Sequence, residues 1–318
     1  MLYAFAPMEG VTSYLFRRMH AKCFPGVDRY YAPFLAPDGA GQCRRNAWRD
    51  LLPENNPDAL PVPQILCNRA EPFLAVARSL RDMGYTEVDL NAGCPSSTVV
   101  PKHKGAGLLL DLRTLDDLLA DVFARCPLRV SVKTRLGVDS PDEFPAILEL
   151  YRRYPLSELI VHARDRAGMY KSRPDLPAFA RAAKMSPFPV CYNGSVVDMA
   201  SLDKVIQAAP TLERVMLGRG AAADPALFRV LRGGEPLSSD ELFDFLERYR
   251  AALTESGLGD HYTLGRLKEL WFYCGAKFPD DPRGLKRIAK AQTLDDYRSA
   301  VRQLFANGSF RPEASFKG

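Results

Sequence analysis

From residue 89 the chain reads DLNAGCPSSTVVPKHKGAGLLLD. A short apolar run ends in Asn91, Gly93, Cys94 and Pro95, and a basic triplet, Lys102–His103–Lys104, follows with Gly105 and Gly107. One cysteine thus stands at the mouth of an expected strand, beside a basic, glycine-bearing loop. Further on come Lys133 and Arg135 in SVKTRLG, His162 and Arg164 in IVHARDR, Asn193–Gly194 in YNGSV and Gly218–Arg219–Gly220 in MLGRGA. Lysine and histidine offer positive charge or donors to a ligand that becomes anionic. Glycines let backbone N–H groups approach a phosphate closely.

These residues need a scaffold that gathers them, and the periodicity supplies one. Eight β-rich runs occur at 2–8, 28–34, 61–67, 87–94, 128–136, 158–164, 189–194 and 214–220. Amphipathic stretches lie between many of them. At 71–84 Leu74, Val76, Ala77 and Leu80, and at 113–126 Leu115, Leu118, Leu119 and Val122, recur at helical spacing. Strands alternating with helices mean βαβ units and a parallel sheet, and a count of eight predicts a closed (β/α)₈ TIM barrel of the α/β class. The Pro- and Asn-rich passage 37–61 is expected to be an elaborated loop over the barrel mouth. Chemistry in such barrels sits at the C-terminal ends of the strands. There the sequence places Pro7–Met8, Gln64, Asn91 and Cys94, Lys133 and Arg135, His162 and Arg164, Asn193–Gly194 and Gly218–Arg219. The loops after strands seven and eight often build a phosphate site. A reduced flavin gains charge at N1, where the protein can tune it, so the set fits FMN; on spacing alone it also fits a sugar-phosphate enzyme.

The barrel is expected to span 1–235 and to end at Gly233, Gly234 and Pro236, with Ser238 or Ser239 capping the next helix. Residues 236–318 lack strand character and read as a small all-helical domain of four helices. Net charge is +5, from 43 basic and 38 acidic residues, which permits a polyanionic partner without demanding one. Seven cysteines without a CxxC, and four histidines far apart, predict neither a disulfide framework nor a metal site. No run approaches the roughly 18 apolar residues that span a bilayer, and MLYAFAPMEG lacks a basic n-region, so neither a membrane span nor a signal peptide is expected. A reduced, cytoplasmic monomer is the expectation.

The motifs APMEGVT, PVPQILC, VDLNAGCP, SVKTRLG, IVHARDRAGMY, YNGSV and MLGRGA, in that order from residue 6 to 221, resemble those of the tRNA-dihydrouridine synthase family. The Leu-Asn-x-Gly-Cys-Pro element followed by the Gly-Ala-Gly loop is the most specific of them. The resemblance implies an FMN-dependent enzyme that reduces a uridine of tRNA with NADPH as electron source. It implies that Pro7, Met8, Gln64, Lys133, His162, Asn193, Gly194, Gly218 and Arg219 hold FMN, that Cys94 is the proton donor, and that Asn91 contacts the uracil or the flavin beside it. The chain departs from the family pattern at Ser13, commonly Asp, at Ala163, commonly Gly, at Asp165, commonly Thr, and at Lys104, which occupies a small-residue position. None of these removes a flavin-holding or catalytic residue.

The chemistry explains the thiol. The C5–C6 bond of uracil is conjugated to the C4 carbonyl, so a hydride enters at C6 and the resulting enolate needs a proton at C5. An unperturbed cysteine, with a pKa of about 8.5, is mostly protonated at neutral pH and can act as the general acid. Arg135, Arg164, Tyr170, Lys102 and Lys104 are the expected substrate contacts around it. In the helical tail Tyr262–Gln292 carries seven basic residues, among them Lys286 and Arg287, against three acidic ones, an expected phosphate-tracking face. A base buried in folded tRNA must be extruded to reach a flavin. The competing readings are a flavin barrel acting on a free pyrimidine or enone, and an RNA-binding protein on a barrel that no longer holds a reducible flavin.

Overall fold

Each of the eight β-rich runs contains a strand in the computed structural model, which describes residues 1–58, 60–169 and 172–316. They are β1 (Leu2–Phe5), β2 (Arg29–Tyr30), β3 (Gln64–Ile65), β4 (Glu87–Ala92), β5 (Arg129–Gly137), β6 (Leu159–Asp165), β7 (Val190–Asn193) and β8 (Arg214–Leu217). The sheet runs β2-β1-β8-β7-β6-β5-β4-β3. Parallel bridges Tyr31↔Val62 and Leu35↔Ile65 join the stretch after β2 to β3 and so close the ring. Strands two and three are only two residues long, shorter than their apolar runs. Pro33 follows the first, and Pro61 and Pro63 precede the second; proline has no N–H to give a ladder.

By packing, the chain forms two compact units. The first comprises Met1–Pro7, Asp28–Ser195 and Asp203–Met216, and the second Met8–Val27, Val196–Leu202 and Leu217–Gly318. The first unit holds β1 to β7 and most of β8. Its strands alternate with period two, as the pleat requires. Along β5, Ser131, Lys133 and Arg135 share the face turned to the barrel interior. Thr134, on the other face, accepts from Tyr151 Oη of the covering helix Phe144–Tyr151 at 3.2 Å. Ala4, Ala6, Tyr31, Val62, Ile160, Cys191 and Met216 fill the interior as one apolar cluster. Register aligns the polar interior positions: Asn91 pairs with Lys133, Arg135 with His162, and His162 with Asn193. The passage 37–61 holds a short helix, Arg45–Arg49, and a 3-10 turn, Pro53–Asn55. Tyr85 Oη anchors it by donating to the Leu51 carbonyl at 2.7 Å.

The second unit contains the four expected helices, Ser239–Glu255, Asp260–Cys274, Pro282–Lys290 and Leu294–Asn307. Trp271 is buried among them and donates from Nε1 to Tyr297 Oη at 2.8 Å. Phe272, whose aromatic neighbours in the sequence suggest a core position, is instead 69% exposed, because it lies on the solvent side of its helix. Ser238 caps the first of these helices, and Glu241 closes the capping box. Arg229 donates to both Glu241 oxygens, at 2.7 and 3.0 Å. Those bonds hold the carboxyl down at about 2, with burial opposing. The contribution is complete above the ordinary glutamate value of about 4.3 and fades as pH falls towards 2. Glu241→Gln is therefore expected to lower stability by about 1 kcal/mol at pH 7. Urea unfolding of both proteins should show that gap shrinking below pH 4.5.

Candidate active site

Asn91 organises the end of β4. Its Nδ2 donates to Gln64 Oε1 at 2.7 Å, and its Oδ1 accepts from the amides of Gly93 at 3.1 Å and Cys94 at 2.9 Å. The side-chain amide thus faces the turn on one side and β3 on the other. Below it Gln64 Nε2 and Ser131 Oγ donate to the two oxygens of Asp89, each at 2.7 Å. Asp89 is fully buried, and that burial pushes its carboxyl up to about 7 against the two donors. The sequence reading missed Asp89 and Ser131. The signal was present, since Asp89 and Asn91 stand two apart inside an otherwise apolar strand and so share one face.

Cys94 is half-buried. Its carbonyl accepts from the Ala106 amide at 2.9 Å, so the turn is held from its own strand and from the following loop. Gly105 is required at that contact: with φ at +57°, an added Cβ would lie 2.7 Å from the Cys94 carbonyl oxygen and 2.9 Å from the Cys94 Cβ. The basic triplet divides. Lys102 is exposed, and its carbonyl accepts from Asn68 Nδ2 at 3.1 Å. His103 takes the left-handed conformation at φ 51°. Lys104 turns back to donate to the Pro37 carbonyl at 3.2 Å, bracing the loop against the excursion after β2.

On β5 the Lys133 ammonium donates to Asn193 Oδ1 at 2.8 Å, and Asn193 Nδ2 donates to the Met216 carbonyl at 2.9 Å. Burial, reinforced by Arg135, pulls Lys133 down to about 8. Arg135 itself is 0% exposed. Nε donates to the Gly93 carbonyl, and Nη1 to those of Asp165 and Met169. On β6 Arg164 Nη1 donates to His162 Nε2 at 3.0 Å, Nε to the Ser172 carbonyl and Nη2 to Ser195 Oγ. A guanidinium only donates, so His162 Nε2 is an acceptor there and the ring proton sits on Nδ1. Gly194 makes room for its neighbour: a Cβ would fall 2.2 Å from Tyr192 Oη.

The structure therefore brings Gln64, Asn91 and Cys94 into one hydrogen-bonded group, Lys133 with Asn193, and His162 with Arg164. Pro7 ends the barrel's first segment. Met8, Gly218 and Arg219 belong to the second unit. There the Met8 amide donates to Thr12 Oγ1, Gly218 precedes helix Arg219–Ala223, and the Arg219 guanidinium lies 5.7 Å over the Phe316 ring. Tyr170 lies outside the described residues. Lys286 and Arg287, also in the second unit, share with Arg283 and Lys290 one wall of a groove of about 480 Å³, faced by Asp296, Ser299 and Gln303. Among the described residues none of these four cations forms an ion pair.

The family model described as Dihydrouridine synthase (Dus) matches residues 4–255. The tRNA-dihydrouridine(16) synthase of Salmonella typhimurium is 33% identical over 280 residues, covering 83% of this chain and 86% of its own. A probable tRNA-dihydrouridine synthase of Rhodobacter capsulatus is 29% identical over 309 residues, 93% of each chain. Among solved structures, the old yellow enzyme from Trypanosoma cruzi superposes with a TM-score of 0.51 at 10% identity, covering 74% of this chain and 89% of that one. A 2-naphthoyl-CoA reductase superposes at 0.55 with 13% identity, covering 73% of this chain and 50% of that one. At these identities the structural likeness is one of fold.

Proposed function

We propose that this chain, which belongs to the dihydrouridine synthase family, is an FMN-dependent enzyme that reduces a uridine of tRNA to 5,6-dihydrouridine with NADPH as electron source. The family supports the reaction. The observation that carries it to particular atoms is the Cys94 turn, held by Asn91 and Ala106 on a strand adjacent to that of Lys133. Position 16, printed in the name of the Salmonella relative, is the uridine to examine first.

The interior donor set fits a flavin: Lys133 presents an ammonium in a half-buried setting, His162 keeps a proton on Nδ1, and Gln64, Asn193 and Gly194 edge the same strand ends. When bound, FMN supplies the reducing equivalent that enters at C6 of the uracil ring. Lys133 stabilises negative charge at the ligand. The Cys94 thiol gives its proton to C5, and Asn91, through the two turn amides, keeps the sulfur-bearing residue in place. Lys102 is an exposed phosphate contact, while Lys104 braces the loop through Pro37. Arg164 acts on the site through His162. Residues 1–235 supply the chemistry and 236–318 the RNA contact, with the groove of Lys286 and Arg287 tracking phosphates.

Purified protein is expected to be yellow, to bleach under NADPH, and to regain colour on addition of unmodified tRNA. Reoxidation by free uridine as fast as by tRNA would replace this reading with that of a small-molecule reductase. For the groove, the double variant Lys286→Glu, Arg287→Glu should weaken tRNA binding and lower the slope of log affinity against log salt by roughly 2. Flavin content should stay unchanged. Filter binding at several salt concentrations, with an unchanged slope as the adverse result, checks this.

A further inference from the structure

The proposed reaction gives no role to Arg135, the largest fully buried side chain among the described residues. Its guanidinium reaches three carbonyls on two segments far apart in sequence. Nε donates to Gly93 at 2.8 Å, and Nη1 donates to Asp165 at 2.7 Å and to Met169 at 3.1 Å. Gly93 immediately precedes Cys94. Asp165 and Met169 bound the loop that leaves β6, a loop that holds Met169 in the left-handed region at φ 48° and is tightened by the Gly168 amide donating to Asp165 Oδ1. The register of β5 against β6 shifts between Arg135 and Gly137, and such an irregularity re-aims a side chain. Arg135 is 0% exposed, so these carbonyl bonds are made inside the protein.

We propose that Arg135 is a positioning residue for the thiol: it ties the Gly93–Cys94 turn to the Asp165–Met169 loop, so that the two open and close together. Asn91 and Ala106 fix the turn to its own strand and to the loop after it; Arg135 alone among these fixes it to the neighbouring β6 loop. The catalytic consequence rests on the reading of Cys94 as proton donor, but the mechanical link does not.

The test uses the flavin-loaded protein and the variants Arg135→Lys and Arg135→Ala. Lysine fills similar space and keeps the charge, yet it lacks the forked donors that reach two segments at once. Iodoacetamide labelling of Cys94, followed by peptide mapping, should speed up about tenfold as the turn opens locally. Reoxidation of the reduced flavin by tRNA should slow roughly 100-fold, while flavin content and reduction by NADPH hold within about twofold. Added guanidinium should restore part of the reoxidation rate in Arg135→Ala. If that variant does not fold, Arg135→Lys carries the test together with hydrogen exchange on the unaltered protein, where the amides of Cys94 and Met169 should open with one shared rate. Independent opening, or labelling and reoxidation both within twofold of the parent, would overturn the inference. If instead Cys94→Ala leaves reoxidation untouched, the proton-donor reading fails, and labelling and exchange still decide the role of Arg135.

Discussion

Cys94→Ala is expected to retain its flavin and to lose turnover by about 10²–10⁴-fold, the range typical of a general acid. That is equivalent to about 3–5 kcal/mol in the barrier. The side chain is small and half-buried, and the turn beneath it is held by backbone bonds to Asn91 and Ala106 that alanine preserves. Reduction by NADPH should proceed at the parent rate, and only reoxidation by tRNA should stall. Cys94→Ser, which keeps a hydrogen but is a far weaker acid, should recover little. Stopped-flow absorbance of the flavin separates the two half-reactions, and an alanine variant reoxidised at the parent rate would remove the thiol from the chemistry.

Lys133→Met should lower the rate of flavin reduction on the order of 100-fold, as loss of one preorganised charge-stabilising donor does. Methionine matches the length of the chain but leaves Asn193 Oδ1 without the bond that Lys133 now makes at 2.8 Å. The parent should also show a pH signature. Burial and Arg135 pull Lys133 down to about 8, so the cation is present below that value and is lost as pH rises through it. Binding of an anionic ligand in the barrel should weaken across that interval in the parent and stay flat in Lys133→Met. Flavin titration between pH 6.5 and 9.5 tests the sign; parallel curves would show that the ammonium does not carry the charge.

How far the sequence could be read depends on the range of each interaction. The eight strands were legible because alternation and flanking turns are local signals, and the cap at Ser238 because a capping box spans four residues. The Cys94 turn was legible too, since Asn91, Gly93 and Cys94 are near neighbours in the chain. The Gln64–Asp89–Ser131 relay was not, because its two bonds join residues 25 and 42 positions apart. Arg135 shows the same limit more sharply. Beside Lys133 it reads as a second cation at the strand ends, a natural substrate contact. Only the fold reveals that backbone carbonyls surround its guanidinium. Lys104 likewise reads as an open phosphate ligand until the loop after β2 supplies the Pro37 carbonyl. Phe272 misleads for the opposite reason: it sits between two aromatic neighbours in sequence, but consecutive residues of a helix point in different directions.

This chain is expected to saturate a uridine of tRNA. Mass spectrometry of tRNA from cells with and without the gene tests it most directly. One uridine, with position 16 read first, should be two hydrogens heavier only when the gene is present, and a copy carrying Cys94→Ala should fail to restore it. Identical uridine masses at every position in the two preparations would contradict it.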